Sequence, residues 1–319
     1  MTQPRSEVFN AEEVGVYHCV SRCVRRAYLC GYDSKSGQSF EHRRSWIRDR
    51  LTFLVQHFCI ELVSYAIMSN HLHSLIRNRP DIAKRLSSRE VAQRWRKLFP
   101  LRWEDGGVPA EPNEYEISEI VRSKALVKLY RERLSSISWF NRCICEYIAR
   151  AANQEDQCRG RFWEGRFKSQ KVEDLGALLT CSVYIDLNPI RAEMAATPEG
   201  SDYTSVQDRI RGKRKLCPTP ELVSIEEATG GGVTAEEYLE LVDETGRVVK
   251  AGKRGVIPGH LAGILERLRI KPSQWVESTS HYGRKFKRVA GSSEALLEAA
   301  RRAGKRWFHG LSAARAAFC

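Results

Sequence analysis

Val14, Val16, His18 and Val20 recur every second residue, the period of a half-buried strand. Residues 31–37 (Gly-Tyr-Asp-Ser-Lys-Ser-Gly) have loop chemistry. From about Ser39 to Phe58 the period lengthens. Phe40, Trp46, Ile47, Leu51, Leu54, Val55 and Phe58 fall three or four apart and predict a helix. Residues 60–76 are rich in β-branched and aromatic side chains and predict two strands around a Ser69-Asn70 turn. One long bent strand is the alternative. Residues 80–155 are polar and helical by pattern, with a loop near Glu104 to Pro112 and one or two long amphipathic helices over Glu116 to Ala152. A further helix is expected over 173–188, stopped at Asn188-Pro189 because proline disfavours helical geometry in the residue before it. Beyond Ser201 no strand pattern recurs. Gly230, Gly231 and Gly232 suggest a flexible joint, and the remainder looks helical and basic.

Composition narrows the class. The chain has 319 residues, 42% of them hydrophobic, which excludes a wholly disordered or fibrous protein and allows one large domain or two ordinary ones. No apolar run approaches the ~20 residues of a membrane span, so no membrane association is expected. Lys and Arg total 52 against 39 Asp and Glu, a formal charge of +13. That excess favours a polyanionic partner, because each cation placed on a phosphate releases a counterion. A basic soluble enzyme with no nucleic-acid partner is the bland alternative. The ten cysteines include no C-x-x-C pair, so a zinc ribbon is poorly supported and most are expected in the core. The first residues carry no apolar leader, which points to a cytoplasmic, reducing compartment.

Three segments carry candidate chemistry. In Asn70-His71-Leu72-His73-Ser74, strand geometry puts both imidazoles on one face, where two neutral rings can share a divalent cation. The alternative is a pair of half-exposed strand histidines. A two-histidine phosphodiesterase would need a second copy of its motif, which is absent. In the second segment, Tyr184 to Ala192, a helical wheel sets Leu175, Leu178, Leu179 and Val183 on one side. Tyr184 lies opposite, beside Ala177, Cys181 and Asn188. That leaves room for a ligand, or for a second packing layer. The third segment, Arg159 to Ser169, alternates cations with Phe162, Trp163 and Phe167. Rings of that kind stack bases while Arg161, Arg166 and Lys168 hold phosphates.

The order of these pieces resembles a known family. Tyr17-His18 precedes Ser69-Asn70-His71-Leu72-His73. Arg161-Phe162-Trp163 and Gly165-Arg166-Phe167-Lys168 follow, then Tyr184-Ile185-Asp186-Leu187-Asn188-Pro189-Ile190-Arg191-Ala192. This is similar to the IS200-like tyrosine transposases, in the branch associated with repetitive extragenic palindromes. The match covers about 14–200, apart from the helical stretch from 80 to about 155. The resemblance implies an α+β fold with a ferredoxin-like antiparallel sheet, the core of the histidine-hydrophobic-histidine (HUH) endonucleases. It divides the chain into a catalytic domain at 1–200, with a helical insertion at about 80–155, and a basic, mostly helical extension at 201–319.

It also implies a bacterial, nucleoid-associated enzyme that cuts and rejoins single-stranded DNA beside palindromic hairpins. Tyr184 would be the nucleophile. His71, His73 and Asn188 would hold Mg²⁺ or Mn²⁺, although an asparagine before proline also suits a helix C-terminal device. Arg161, Phe162, Trp163, Arg166, Phe167, Lys168 and Arg191 would contact DNA. A phenol ionises near pH ~10, so a tyrosine nucleophile needs a cation on the phosphate it attacks. Imidazoles are softer ligands than Mg²⁺ usually takes, so Mn²⁺ competes. The product would be a 5′-phosphotyrosine and a free 3′-OH, in a monomer or a homodimer.

The chain departs from a minimal member in its long insertion and long tail. In the tail, Arg284, Lys285, Lys287 and Arg288 cluster with Tyr282 and Phe286, and Arg301, Arg302, Lys305 and Arg306 precede Trp307 and Phe308. The tail is expected on DNA, for example at the duplex stem of a hairpin, with a generic charged helix surface as the rival reading. Rival readings are a replication initiator or relaxase, and a non-catalytic DNA- or RNA-binding regulator on the same fold.

Overall fold

The computed structural model describes residues 9–24, 29–33, 37–212, 220–250, 265–266 and 268–318. The expectation of helix beyond Ser201 lies outside the described residues at 213–219 and 251–264.

The architecture is α+β. Five strands form the main sheet: β1 (Gly15–Arg22), β4 (Ile60–Ile67), β5 (His71–Asn78), β8 (Lys168–Val172) and β9 (Val289–Ala290). Two small hairpins supply β2 (Tyr32–Asp33) with β3 (Gln38–Ser39), and β6 (Trp103–Glu104) with β7 (Val108–Pro109). The main order is β4-β5-β1-β8-β9, antiparallel except for the last pair. Its first four strands have ferredoxin-like topology. β1 and β4 run parallel with β5 between them, and β8 closes on the other side of β1. β9 corrects the expectation that no strand follows residue 201. Two residues are too short to print a period, and tertiary pairing alone makes them a strand.

Alternation along each strand divides the molecule into two layers. Tyr17, Cys19, Leu62, Tyr65, Leu72 and Ile76 face one core. That side is covered by α1 (Arg43–His57) and the insertion. The insertion comprises α2 (Pro80–Arg85), α3 (Ser88–Leu98), α4 (Glu114–Val121), α5 (Lys124–Leu134) and α6 (Ile137–Glu155). Three helices therefore occupy the stretch expected to hold one or two. Asn113, Ser123 and Ser136 explain the breaks, because each caps a new helix by accepting from a backbone N–H three residues on. At the start of α1 the buried Arg43 pairs with Glu155 and Asp156 at the end of α6.

The opposite face carries Val63, Ala66, Leu75 and Val172 against α7 (Leu175–Asp186). Two short helices follow, α8 (Asn188–Arg191) and α9 (Ser205–Arg211), and then α10 (Ile225–Ala228) and α11 (Ala235–Lys250). Pro189 sits in the first turn of α8, where its missing N–H costs nothing, so it restarts a helix as well as ending one. Leu178, Leu179, Val183 and Ile185 share one core with Tyr238, Leu241, Trp275, Tyr282, Phe286 and Phe318. The division at residue 200 therefore does not divide the core: the extension covers the outer side of α7. Gly230 and Gly231 form a left-handed turn after α10, with φ of 62° and 82°, rather than an open linker.

The extension holds α7 at both ends. Asp174 caps its first turn by accepting from Ala177 N–H at 2.8 Å, and also accepts from Ser292 N–H at 2.5 Å. Asp186 at the other end accepts from Ser205 Oγ, from Val206 N–H at 3.2 Å and from Tyr238 Oη at 2.5 Å. Of the eight described cysteines, Cys19, Cys23, Cys30, Cys59, Cys143 and Cys181 are buried, in line with a core role. No described helix is long and apolar enough to cross a membrane.

Candidate nucleic-acid cleaving site

The pairing of β1 with β5 creates the site. Val20 lies opposite His73 and Arg22 opposite His71, while His18 sits two residues back on the same face. His71 and His73 both point toward α7, with ring centroids 4.6 Å apart. His18 stacks on His73 at 5.1 Å, and the His18 Nε2 and His73 Nδ1 atoms are 2.8 Å apart in a buried hydrogen bond. Tyr184 comes down from α7 onto this group. Its ring centroid is 5.7 Å from His73 and 6.0 Å from His18. The Arg191 guanidinium lies 5.0 Å from the centre of the tyrosine ring.

Burial keeps the three imidazoles neutral. It pushes His18 down to about 4 and His71 down to about 4, the latter aided by the Arg22 charge. His73 is held well below the ordinary range by burial and by His71, His18 and Arg191. Neutral rings are the metal-binding form. His71 Nδ1 hydrogen-bonds the Asn70 side-chain oxygen, so Nδ1 carries the proton and Nε2 keeps its lone pair. Where His73 donates through Nδ1 to His18, its Nε2 is a lone pair too, and that buried atom has no hydrogen-bond partner. Two imidazole nitrogens are thereby left to accept a divalent cation, a softer donor pair than Mg²⁺ usually takes. Among the described residues no group of three His, Cys, Asp or Glu side chains is arranged to hold a metal. A cation here would take its other ligands from substrate phosphate and water.

The cleft around these groups has a volume of about 580 Å³. Its lining includes six cations (Arg22, Arg166, Lys168, Arg191, Arg284 and Lys287) and one carboxylate, Glu164. A pocket so unbalanced suits a polyanion.

The residues that the sequence singled out divide clearly. His71, His73, Tyr184, Arg166, Lys168 and Arg191 all line the cleft. Asn188 does not. It is 8% exposed, and its amide Nδ2 donates to the Tyr184 carbonyl at 2.9 Å. That bond engages the amide nitrogen at the helix end, and Asn188 is not among the residues lining the cleft. The three aromatics are corrected as well. Phe162, Trp163 and Phe167 are 1%, 8% and 9% exposed and belong to the core under α1, where no base can stack on them. Trp163 Nε1 donates to the Cys145 carbonyl at 2.8 Å. Arg161 is exposed but lies outside the cleft lining and donates to the Glu164 carbonyl at 3.4 Å.

Sequence reasoning gave no role to His18, though its place on the His71 face follows from strand parity once β1 is paired with β5. Gly283, Arg284 and Lys287 reach the cleft through long-range contacts, the pairing of β9 with β8 and the packing of Tyr282 and Phe286 into the α7 core.

No protein-family model and no curated protein matches this chain. A solved structure of a REP-associated tyrosine transposase bound to a REP hairpin is similar at TM-score 0.39 and 12% identity. The likeness covers 70% of this chain and 93% of that one. So weak a likeness bears no chemical conclusion, which must come from the cleft itself.

Proposed function

We propose that this protein cleaves and rejoins single-stranded DNA through a covalent bond to Tyr184. The observation that carries the reading is one juxtaposition: a tyrosine ring against the neutral His73 and His18, with His71 in the same cleft, which holds six cations to one carboxylate.

Arg166, Lys168 and Arg191 bind the strand by its phosphates. Tyr184 Oη attacks one phosphorus, forming the tyrosyl ester as the bond to the 3′-oxygen breaks. The phenolic proton passes to solvent, and the departing 3′-oxygen takes one up. Reversal by a 3′-OH rejoins strands with no external energy source, because the ester stores the phosphodiester bond. His71 and His73 would hold a divalent cation, which when bound supplies charge stabilisation to the attacked phosphate. His18 holds His73 in place through their mutual hydrogen bond. Recognition of a palindromic hairpin belongs to this reading as the substrate class.

A labelled single strand with a hairpin, incubated with Mn²⁺, tests it on a denaturing gel. The parent protein is expected to give a protein–DNA band that survives denaturation, and EDTA to remove it. Tyr184→Phe is expected to abolish the band while binding the strand within about twofold of the parent. A non-catalytic regulator on this fold would give no band under any metal.

A further inference from the structure

The extension supplies part of the catalytic cleft. Ser280, His281, Gly283, Arg284, Phe286 and Lys287 line it together with His71, His73 and Tyr184. We propose that Ser280–Lys287 is a phosphate-gripping wall of the site. Arg284 and Lys287 bind backbone phosphates beside the one attacked, and Gly283 sets the position of the Tyr184 oxygen. The inference takes its ligand, single-stranded DNA, from the reading above.

Three features support it. The segment is anchored at spaced points. Tyr282 and Phe286 are buried in the core, and directly beyond them the Arg288 carbonyl accepts from Lys171 N–H at 2.8 Å as β9 joins β8. While 282 and 286 are buried, 283, 284 and 287 are exposed. The outward cations are also available. Arg284 and Lys287 have no carboxylate partner among the described residues, and Lys287 Nζ reaches only the Gly283 carbonyl at 3.3 Å. Their neighbour Lys285 instead pairs with Glu277 at 3.1 Å.

The third feature is the contact with the tyrosine. Tyr282 packs at 5.5 Å from the Tyr184 ring. A Cβ placed on Gly283 would lie 3.1 Å from Tyr184 Oη, tighter than ordinary contact. A side chain there requires the oxygen to give way by a few tenths of an ångström, and a branched one such as valine by more. Of the basic cluster expected at the duplex stem, Arg284 and Lys287 line the cleft itself.

The test uses the full chain and two variants, each checked for an unchanged circular-dichroism melt. Binding of a fluorescent single strand is titrated across a salt series. Arg284→Ala with Lys287→Ala is expected to weaken binding at least tenfold and to reduce the magnitude of the salt slope by about 1.4, close to 0.7 per cation. Gly283→Val is expected to keep affinity within threefold and to slow adduct formation at saturating DNA by about a hundredfold, as a misplaced nucleophile does. Unchanged affinity and slope in the double variant, or an unchanged adduct rate in Gly283→Val, overturns the wall. Failure of the parent to form any adduct overturns the nuclease reading, while the double variant still reports on phosphate binding.

Discussion

His18 shows how one residue serves both stability and chemistry. Burial lowers it to about 4 from the ordinary 6.5. As pH falls, the unfolded chain therefore takes up this proton first. The stability held by the neutral ring is present above 6.5 and is lost as pH falls toward 4. The full effect is about 3 kcal/mol. Urea unfolding across that range is expected to show stability falling with acid, and His18→Asn to make the fall shallower, the remainder coming from His71 and His73. Phe162 belongs at the same scale. As a core residue at 1% exposure, its replacement by alanine is expected to cost about 3–5 kcal/mol in urea unfolding. A stacking platform would cost DNA affinity and leave stability alone. The cations and aromatics of 161–168 were legible as a group, but which of them face solvent was not. Residue type alone does not say on which side of an irregular segment beside β1 each side chain falls.

Among elements, the β4–β5 hairpin with its Ser69-Asn70 turn was readable from the pattern, because β-branched runs around two turn residues have few other solutions. The helix bearing Tyr184 was readable too, but not its surroundings. Nearly every residue of α7 is buried, so no single apolar stripe describes it. Its polar ends explain how it is fixed. Burial pushes the Asp186 carboxyl up to about 6, against hydrogen bonds from Ser205 and Tyr238 that favour its charge. Asp186→Ala removes the acceptor of Tyr238 Oη and of Val206 N–H in the core, while Ser205 keeps its bonds to the Tyr65 backbone. Each orphaned group costs ~1–3 kcal/mol, so a loss of about 2–6 kcal/mol is expected in urea unfolding, well above that of an exposed Asp→Ala change.

For the whole molecule, the net charge of +13 favours a polyanion partner, but the role of the extension lay beyond the sequence. It depends on a two-residue parallel pairing and on a core assembled from distant segments. Tyr238, Leu241, Trp275, Phe286 and Phe318 all pack into the cluster that holds α7. A chain ended after residue 230 exposes that face. It is expected to aggregate or to lose cooperative unfolding, rather than to fold and bind DNA less well. A folded, soluble fragment with a sharp thermal transition would contradict the shared core.

The central claim is that the Tyr184 oxygen becomes bonded to DNA. Protein incubated with a hairpin-bearing single strand and Mn²⁺ is digested with nuclease and protease, and the peptides are sequenced by mass spectrometry. The account predicts a nucleotide phosphate on Tyr184, absent when EDTA is present. The same mass on another residue, or an unmodified Tyr184 peptide from a reaction in which the strand has been cut, would contradict it.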